Sequence, residues 1–263
     1  MIFVQKPTEY EPLNNPTITI KDIKDLLKED NIDHPDFTKE VLKEPHLKAK
    51  ARTFTDAEIK NLPKQSADLT DDKKMISSDF DKPIPIPLTA DVSKEEIVNF
   101  VNENEFKMDS TLEKYFIDSD KYQFGSFNEK KDNEGYEASF YQLVDGKPIY
   151  DNNAGKIVFS LNNQLEVTSY EQTMLTFETF KEEKELLSDI EIIKILYSEL
   201  SKNSSLEWEL GYFSNTNDSD NLEVELESHV LTPTWYVKVK QENSTVNYYY
   251  VNAIEGQMFS MQE

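Results

Sequence analysis

The 263-residue sequence predicts an α+β protein: tandem units of a helix packed on an antiparallel β-sheet, preceded by a smaller mixed N-terminal lobe. Three observations carry that expectation. Helix-period apolar stripes with capping signals begin near residues 94 and 189. Each is followed by a succession of short strand-like runs separated by turn residues. Finally, proline and glycine divide the chain, with nine of eleven prolines in the first 87 residues and all six glycines at Gly125 or later.

The elements follow in order. In residues 1–88, Ile20, Ile23, Leu26 and Leu27 at helical spacing predict an amphipathic helix over about 19–29. Thr55-Asp56-Ala57-Glu58 has the form of a capping box and opens a short helix that must stop before Pro63. The polar stretch Asp68 to Asp81 reads as a surface connection, and Pro83-Ile84-Pro85-Ile86-Pro87 as an extended, donor-poor connector closing the lobe.

Residues 89–184 form the first helix-and-sheet unit. Ser93 and Glu96 cap a helix of about 94–105 whose inner face is Ile97, Phe100 and Val101. Strands are expected at Tyr122 to Phe127, Tyr136 to Val144, Lys156 to Leu161 and Leu165 to Leu175, with two-residue turns at Asp145-Gly146 and Asn162-Asn163. Residues 185–263 form the second unit. Ser188 and Glu191 cap a helix of about 189–202, and strands follow at Leu206 to Phe213, Thr234 to Lys240, Val246 to Val251 and Gln257 to Met261.

Composition removes several function classes. There is no cysteine, so disulfides, thiolate metal sites and cysteine nucleophiles are out. Against 28 Lys and Arg stand 51 Asp and Glu, and the net charge of −23 opposes binding to nucleic acid or to an anionic membrane surface. A hydrophobic fraction of 37% is too high for a disordered chain. No run approaches the ~18 apolar residues of a membrane span, and no signal peptide is recognisable. Ile2-Phe3-Val4 reads either as part of an N-terminal strand or as the stump of a longer apolar helix.

The residues that could carry chemistry form no pattern. His34, His46 and His229 lack zinc-site spacing, and glycines are too sparse for a phosphate loop, a nucleophile elbow or a dinucleotide fingerprint. Asn217-Asp218-Ser219-Asp220-Asn221 lacks the glycine and terminal glutamate of a calcium loop, and Asp132-Asn133-Glu134-Gly135 reads as a solvated turn. No enzyme activity, metal or cofactor is therefore expected. The remaining feature is aromatic. Tyr248-Tyr249-Tyr250 in a strand must point to alternating faces, so Tyr248 and Tyr250 are the candidate partner-binding residues.

Six segments carry a resemblance. Asp145-Gly146-Lys147-Pro148-Ile149-Tyr150, Ala154-Gly155-Lys156-Ile157-Val158-Phe159 and Tyr170-Glu171-Gln172-Thr173 resemble the YycI family. So do Leu210-Gly211-Tyr212, Pro233-Thr234-Trp235-Tyr236-Val237 and Tyr249-Tyr250-Val251-Asn252-Ala253-Ile254-Glu255-Gly256. The resemblance implies a membrane-anchored accessory protein with one N-terminal membrane helix, absent from this chain, and an extracytoplasmic domain of tandem α+β units. It implies a YycH-like partner and modulation of the WalK (YycG) sensor histidine kinase, in a Gram-positive cell. It implies no catalytic residues, and it favours reading Ile2-Phe3-Val4 as lying near the end of the membrane helix. Trp235 and Gly256 are expected to serve folding. The competing reading is a secreted PepSY-like or cystatin-like module that binds peptides or inhibits proteases.

Overall fold

The structure is a computed structural model and describes residues 20–86, 97–104, 112–131, 134–150, 154–214, 228–243 and 245–259. Among them it is mostly β-sheet with few helices, an α+β protein richer in strand than expected. The chain forms two compact units, each assembled from segments distant in sequence. Unit 1 comprises 1–46, 181–211 and 232–263; unit 2 comprises 47–180 and 212–231. This partition differs from the three consecutive segments 1–88, 89–184 and 185–263, because the chain passes between units inside strands and not at the proline-rich stretch.

Unit 1 contains helices α1 (Ile20–Glu29) and α4 (Asp189–Leu196), with strands β10 (Ser205–Ser214), β11 (Ser228–Lys240), β12 (Val246–Asn252) and β13 (Met258–Phe259) adjacent in that order. The outer ends of β10 and β11 belong to unit 2. The α4 start is the predicted capping box: the Glu191 carboxylate accepts from the Ser188 amide at 2.8 Å and hydroxyl at 2.7 Å. The helix ends earlier than expected, giving way to a single 3-10 turn at Tyr197–Glu199. Ile23 and Leu27 of α1, and Ile190, Ile193 and Leu196 of α4, share one apolar core with Trp235, Val237, Val239 and Val251. The Trp235 indole donates to the Leu187 carbonyl at 2.9 Å, so the largest ring in this core leaves no buried donor idle. Gly256 stands at φ +73, and a Cβ there would come within 2.8 Å of the Ile195 Cδ1, which accounts for glycine at this turn.

Unit 2 holds β2 (Gln65–Leu69), β3 (Met75–Pro85), β4 (Tyr122–Glu129), β5 (Tyr136–Val144), β7 (Lys156–Leu161) and β8 (Glu166–Thr173) in one antiparallel array, ordered β4-β5-β7-β8-β3-β2. Helix α3 (Ile97–Asn104) joins their core through Ile97 and Val101. The Asn102 amide clasps β4, donating to the Phe127 carbonyl at 2.7 Å and accepting from its amide at 2.8 Å. Ser93 and Glu96, expected to cap this helix, lie outside the described residues. Strand β6 (Lys147–Tyr150) follows β5 through Asp145 and Gly146, both at positive φ, as a two-residue hairpin of the primed class demands. A second, smaller core joins Leu47 and Ala49 of β1 (Lys43–Ala51) to Ile149, Tyr212, Leu231 and Leu175, the first residue of β9 (Leu175–Glu185).

Three expectations are corrected. The stretch Asp68 to Asp81 is no surface connection: β2 and β3 pair antiparallel across it, with Ile76, Ser78 and Phe80 buried at period two behind the polar Ser77 and Asp79. Pro83, Ile84 and Pro85 end β3, and Ile84 and Pro85 pair with Val167 and Glu166 of β8 after a register shift. The turn expected at Asn162-Asn163 takes four residues, 162–165. The Asn162 side chain accepts from the Gln164 and Glu166 amides, and Leu165 stands at φ +60.

Candidate functional site

The β11–β12 pairing sets the faces of the tyrosine run. Tyr236 lies opposite Tyr250, and Lys238 opposite Tyr248, while Trp235 and Val237 lie opposite Val251 and Tyr249. Successive side chains alternate, so Tyr249 joins the helix-covered core while Tyr236, Tyr248 and Tyr250 share the other face of the unit 1 sheet. There they form a ladder: Tyr236 stacks on Tyr248 at 5.6 Å between centroids and 13°, and tilts against Tyr250 at 5.3 Å and 47°. The two predicted residues separate at this point. Tyr248 is 41% exposed, whereas Tyr250 is 3% exposed and available only as support for its neighbours. Tyr236, half-buried and in ring contact with both, is the residue that sequence reasoning missed; its partner strand had to be known before it could be placed beside Tyr248. Lys238 on the same face pairs with Glu207 of β10 at 3.3 Å.

A second feature of unit 1 is an open groove of about 1410 Å³. Its walls are the outer side of α1, the loop after that helix, the 203–205 turn and the β11–β12 hairpin. Phe37 stacks on Trp208 at 5.3 Å and 16°, His34 tilts against Phe37 at 4.8 Å, and the Lys24 ammonium lies 5.2 Å from the Phe37 centroid. The hairpin is held to the turn by Asn203, whose amide donates to Glu242 at 3.2 Å and accepts from Asn31 at 3.0 Å.

Two polar ties fix the surroundings of the groove. The buried Asp189 accepts from the Thr38 amide at 2.7 Å, fastening the loop after α1 to the first residue of α4. At the other end of these helices Asp30 accepts from the Tyr197 hydroxyl at 2.5 Å and pairs with Lys202 at 2.6 Å. The Lys202 ammonium and then the tyrosine hydroxyl hold the Asp30 carboxyl below its ordinary range, and the same contact pushes Tyr197 up to about 12. Among the described residues no group of three or more His, Asp or Glu is arranged to hold a metal ion, and no helix is long and apolar enough to cross a membrane.

No curated protein matches the chain in sequence. Among solved structures, that of an uncharacterized protein from Eubacterium rectale ATCC 33656 is similar over 88% of this chain and 89% of that one, at 16% identity and a TM-score of 0.42. A family profile described as "YycI protein" matches residues 13–254, nearly the whole sequence, and the chain therefore belongs to the YycI family.

Proposed function

We propose that this chain is the extracytoplasmic part of a membrane-anchored accessory protein that binds a YycH-like subunit and biases the WalK (YycG) sensor kinase between signalling states. The YycI family comprises regulators of that two-component system, and the match over residues 13–254 is the observation that carries the reading. The protein works by contact and not by turnover. An accessory subunit needs only a difference of a few kcal/mol in its affinity for two kinase states to shift their populations. The contact surface we assign is the tyrosine ladder of unit 1, with Tyr248 as the exposed ring and Tyr236 and Tyr250 beneath and beside it. Half-exposed tyrosines held rigidly by stacking supply contact area at small entropic cost, which is the property that enriches them at interfaces. The helix-and-sheet units are read as a tandem repeat, one helical layer to each sheet.

The experiment is a membrane preparation from cells producing the protein with its native N-terminus. Recovery in the membrane fraction without cleavage, together with a YycH-like protein and the kinase, is the expected result. Release into the medium after cleavage of a leader would overturn the anchor, and absence of both proteins from the purified material would overturn the partnership.

A further inference from the structure

The antiparallel array of unit 2 ends in β4 on one side and β2 on the other, and the two edges differ. The β4 edge is plugged. The Asn102 side chain takes both the amide and the carbonyl of Phe127, as a neighbouring strand would, and the register breaks between Phe124 and Ser126. Among the described residues β2 has no such plug. Its pairing with β3 is bracketed by two bonds of 3.0 Å, from the Asp81 amide to the Lys64 carbonyl and from the Thr70 amide to the Met75 carbonyl. Alternation within the ladder therefore commits Ser66 and Asp68 to β3 and turns the amides and carbonyls of Gln65, Ala67 and Leu69 outward. Among the described residues these outward groups make no hydrogen bond, and backbone groups of that kind face water and not a packed interior. The side chains of Gln65, Ala67 and Leu69 are half-buried, on the core side of the sheet, and Ser66 and Asp68 are exposed.

From this placement we propose that β2 pairs antiparallel with β2 of a second copy of this chain, about a two-fold axis through Ala67. In that register Gln65 meets Leu69 of the second copy and Ala67 meets Ala67, so every outward-facing residue of the strand exchanges both of its backbone bonds. Ser66 then falls opposite Asp68. The sequence disfavours the neighbouring registers. A shift of one residue sets the outward groups against residues already committed to β3. A shift of two sets either Leu69 against Pro63, which has no donor, or Asp68 directly against Asp68. The same two-fold brings the exposed Lys64 of each copy to the end where the exposed Asp71 of the other stands, and among the described residues neither enters an ion pair. Asp79 and Asp81 stand one strand back, and the net charge of −23 opposes association. A five-residue seam also falls short of the ~1,200 Å² of a stable interface, so the dimer is weak, with a Kd of about 10–100 μM. This contact between like chains does not rest on the kinase reading.

The test is sedimentation of the purified chain up to about 300 μM, well above the expected Kd. A monomer–dimer equilibrium is expected. A67P removes an outward amide that serves no bond within the fold, so it should stay folded by circular dichroism and weaken the dimer by about tenfold or more. The absence of cysteine from the chain lets the register be read by crosslinking. In S66C/D68C each cysteine faces its counterpart across a non-hydrogen-bonded pair, about 4.5 Å between Cα atoms, and mild oxidation should give a covalent dimer. In D68C alone the two thiols sit on diagonal positions about 7–8 Å apart, and the yield should be at least about fivefold lower. If A67P unfolds, the cysteine variants decide without it. A chain that stays monomeric, a folded A67P that dimerises like the wild type, or D68C crosslinking as well as S66C/D68C would each overturn the proposal. A monomeric chain whose co-purification with a partner protein is lost in A67P would overturn it too, by assigning the edge to a strand of that partner. None of these failures touches the proposed function, which stands or falls on the membrane preparation.

Discussion

Tyr248 and Tyr250 are two residues apart on one strand face and behave oppositely. Tyr248 is 41% exposed and Tyr250 3%. Tyr250→Ala is therefore expected to lose about 3 kcal/mol of stability, in the range for removing a buried aromatic ring, whereas Tyr248→Ala costs under about 1 kcal/mol. Denaturant unfolding of both variants checks this, and only Tyr248→Ala is then interpretable in a binding assay. Charged residues make their own predictions. The Asp30 carboxyl is held below its ordinary value of 3.8 by Lys202 and Tyr197. Its contribution is thus present above pH 3.8 and lost as pH falls through the lower folded-state value. Tyr197, raised from 10.0 to about 12, adds a contribution that is full below pH 10 and lost as pH climbs toward 12. The difference in Tm between the wild type and Asp30→Asn should accordingly shrink toward zero in strong acid and narrow again above pH 10. Arg52, the only arginine, ties three segments of unit 2 together: it pairs with Glu58 and with Asp118 at 3.1 Å, donates to the Met174 sulfur at 3.0 Å, and lies over Phe54. A lysine cannot serve two carboxylates through a planar fork, so Arg52→Lys is expected to recover less than half of the ~1–3 kcal/mol lost in Arg52→Ala, as read from urea midpoints.

At the scale of elements, what was legible depended on whether local chemistry alone decided the outcome. Capping boxes at Thr55 and Ser188 announced α2 (Asp56–Lys60) and α4, because Glu58 and Glu191 satisfy the first-turn donors without help from the rest of the fold. Asp145-Gly146 announced its hairpin for the same reason: both residues tolerate positive φ. The strands β1, β3 and β9 were not legible. In β3 only Ile76, Ser78 and Phe80 face inward, and one of the three is a serine, hydrogen-bonded to Gln65 at 2.6 Å. In β9 almost every residue beyond Leu175 is exposed or half-exposed, so no apolar alternation exists to be read. These strands are held by their neighbours' backbone and not by their own pattern. The Gly256 turn offers a direct test, since its glycine meets both a backbone and a packing demand. Gly256→Ala should cost about 1–2 kcal/mol, from φ +73 and the contact with Ile195, and lower the unit 1 melting transition.

At the scale of the whole molecule, the sequence conveyed family better than architecture. The turns and core strands of residues 145–256 carried the YycI resemblance, and the family match extends it to residues 13–254. The two-unit organisation was hidden because each unit gathers segments far apart in sequence, with crossings inside β1, β9, β10 and β11 where composition does not change. The candidate surfaces were legible by half. Tyr248 was identified from alternation alone, but Tyr236 became visible only through the β11–β12 register, and the groove only when α1, Phe37, Asn203 and Lys240 were seen together. The tyrosine face is the surface through which this protein is proposed to act as a contact-based regulator. The most direct measurement is quantitative co-purification of the full-length protein from membranes with the YycH-like protein and the kinase, for the wild type and for Tyr248→Ala. The wild type is expected to retain both proteins, and Tyr248→Ala to retain at least about tenfold less of one of them with an unchanged Tm, as for loss of an interface anchor. Recovery of neither protein with the wild type, or full retention by Tyr248→Ala, would contradict it.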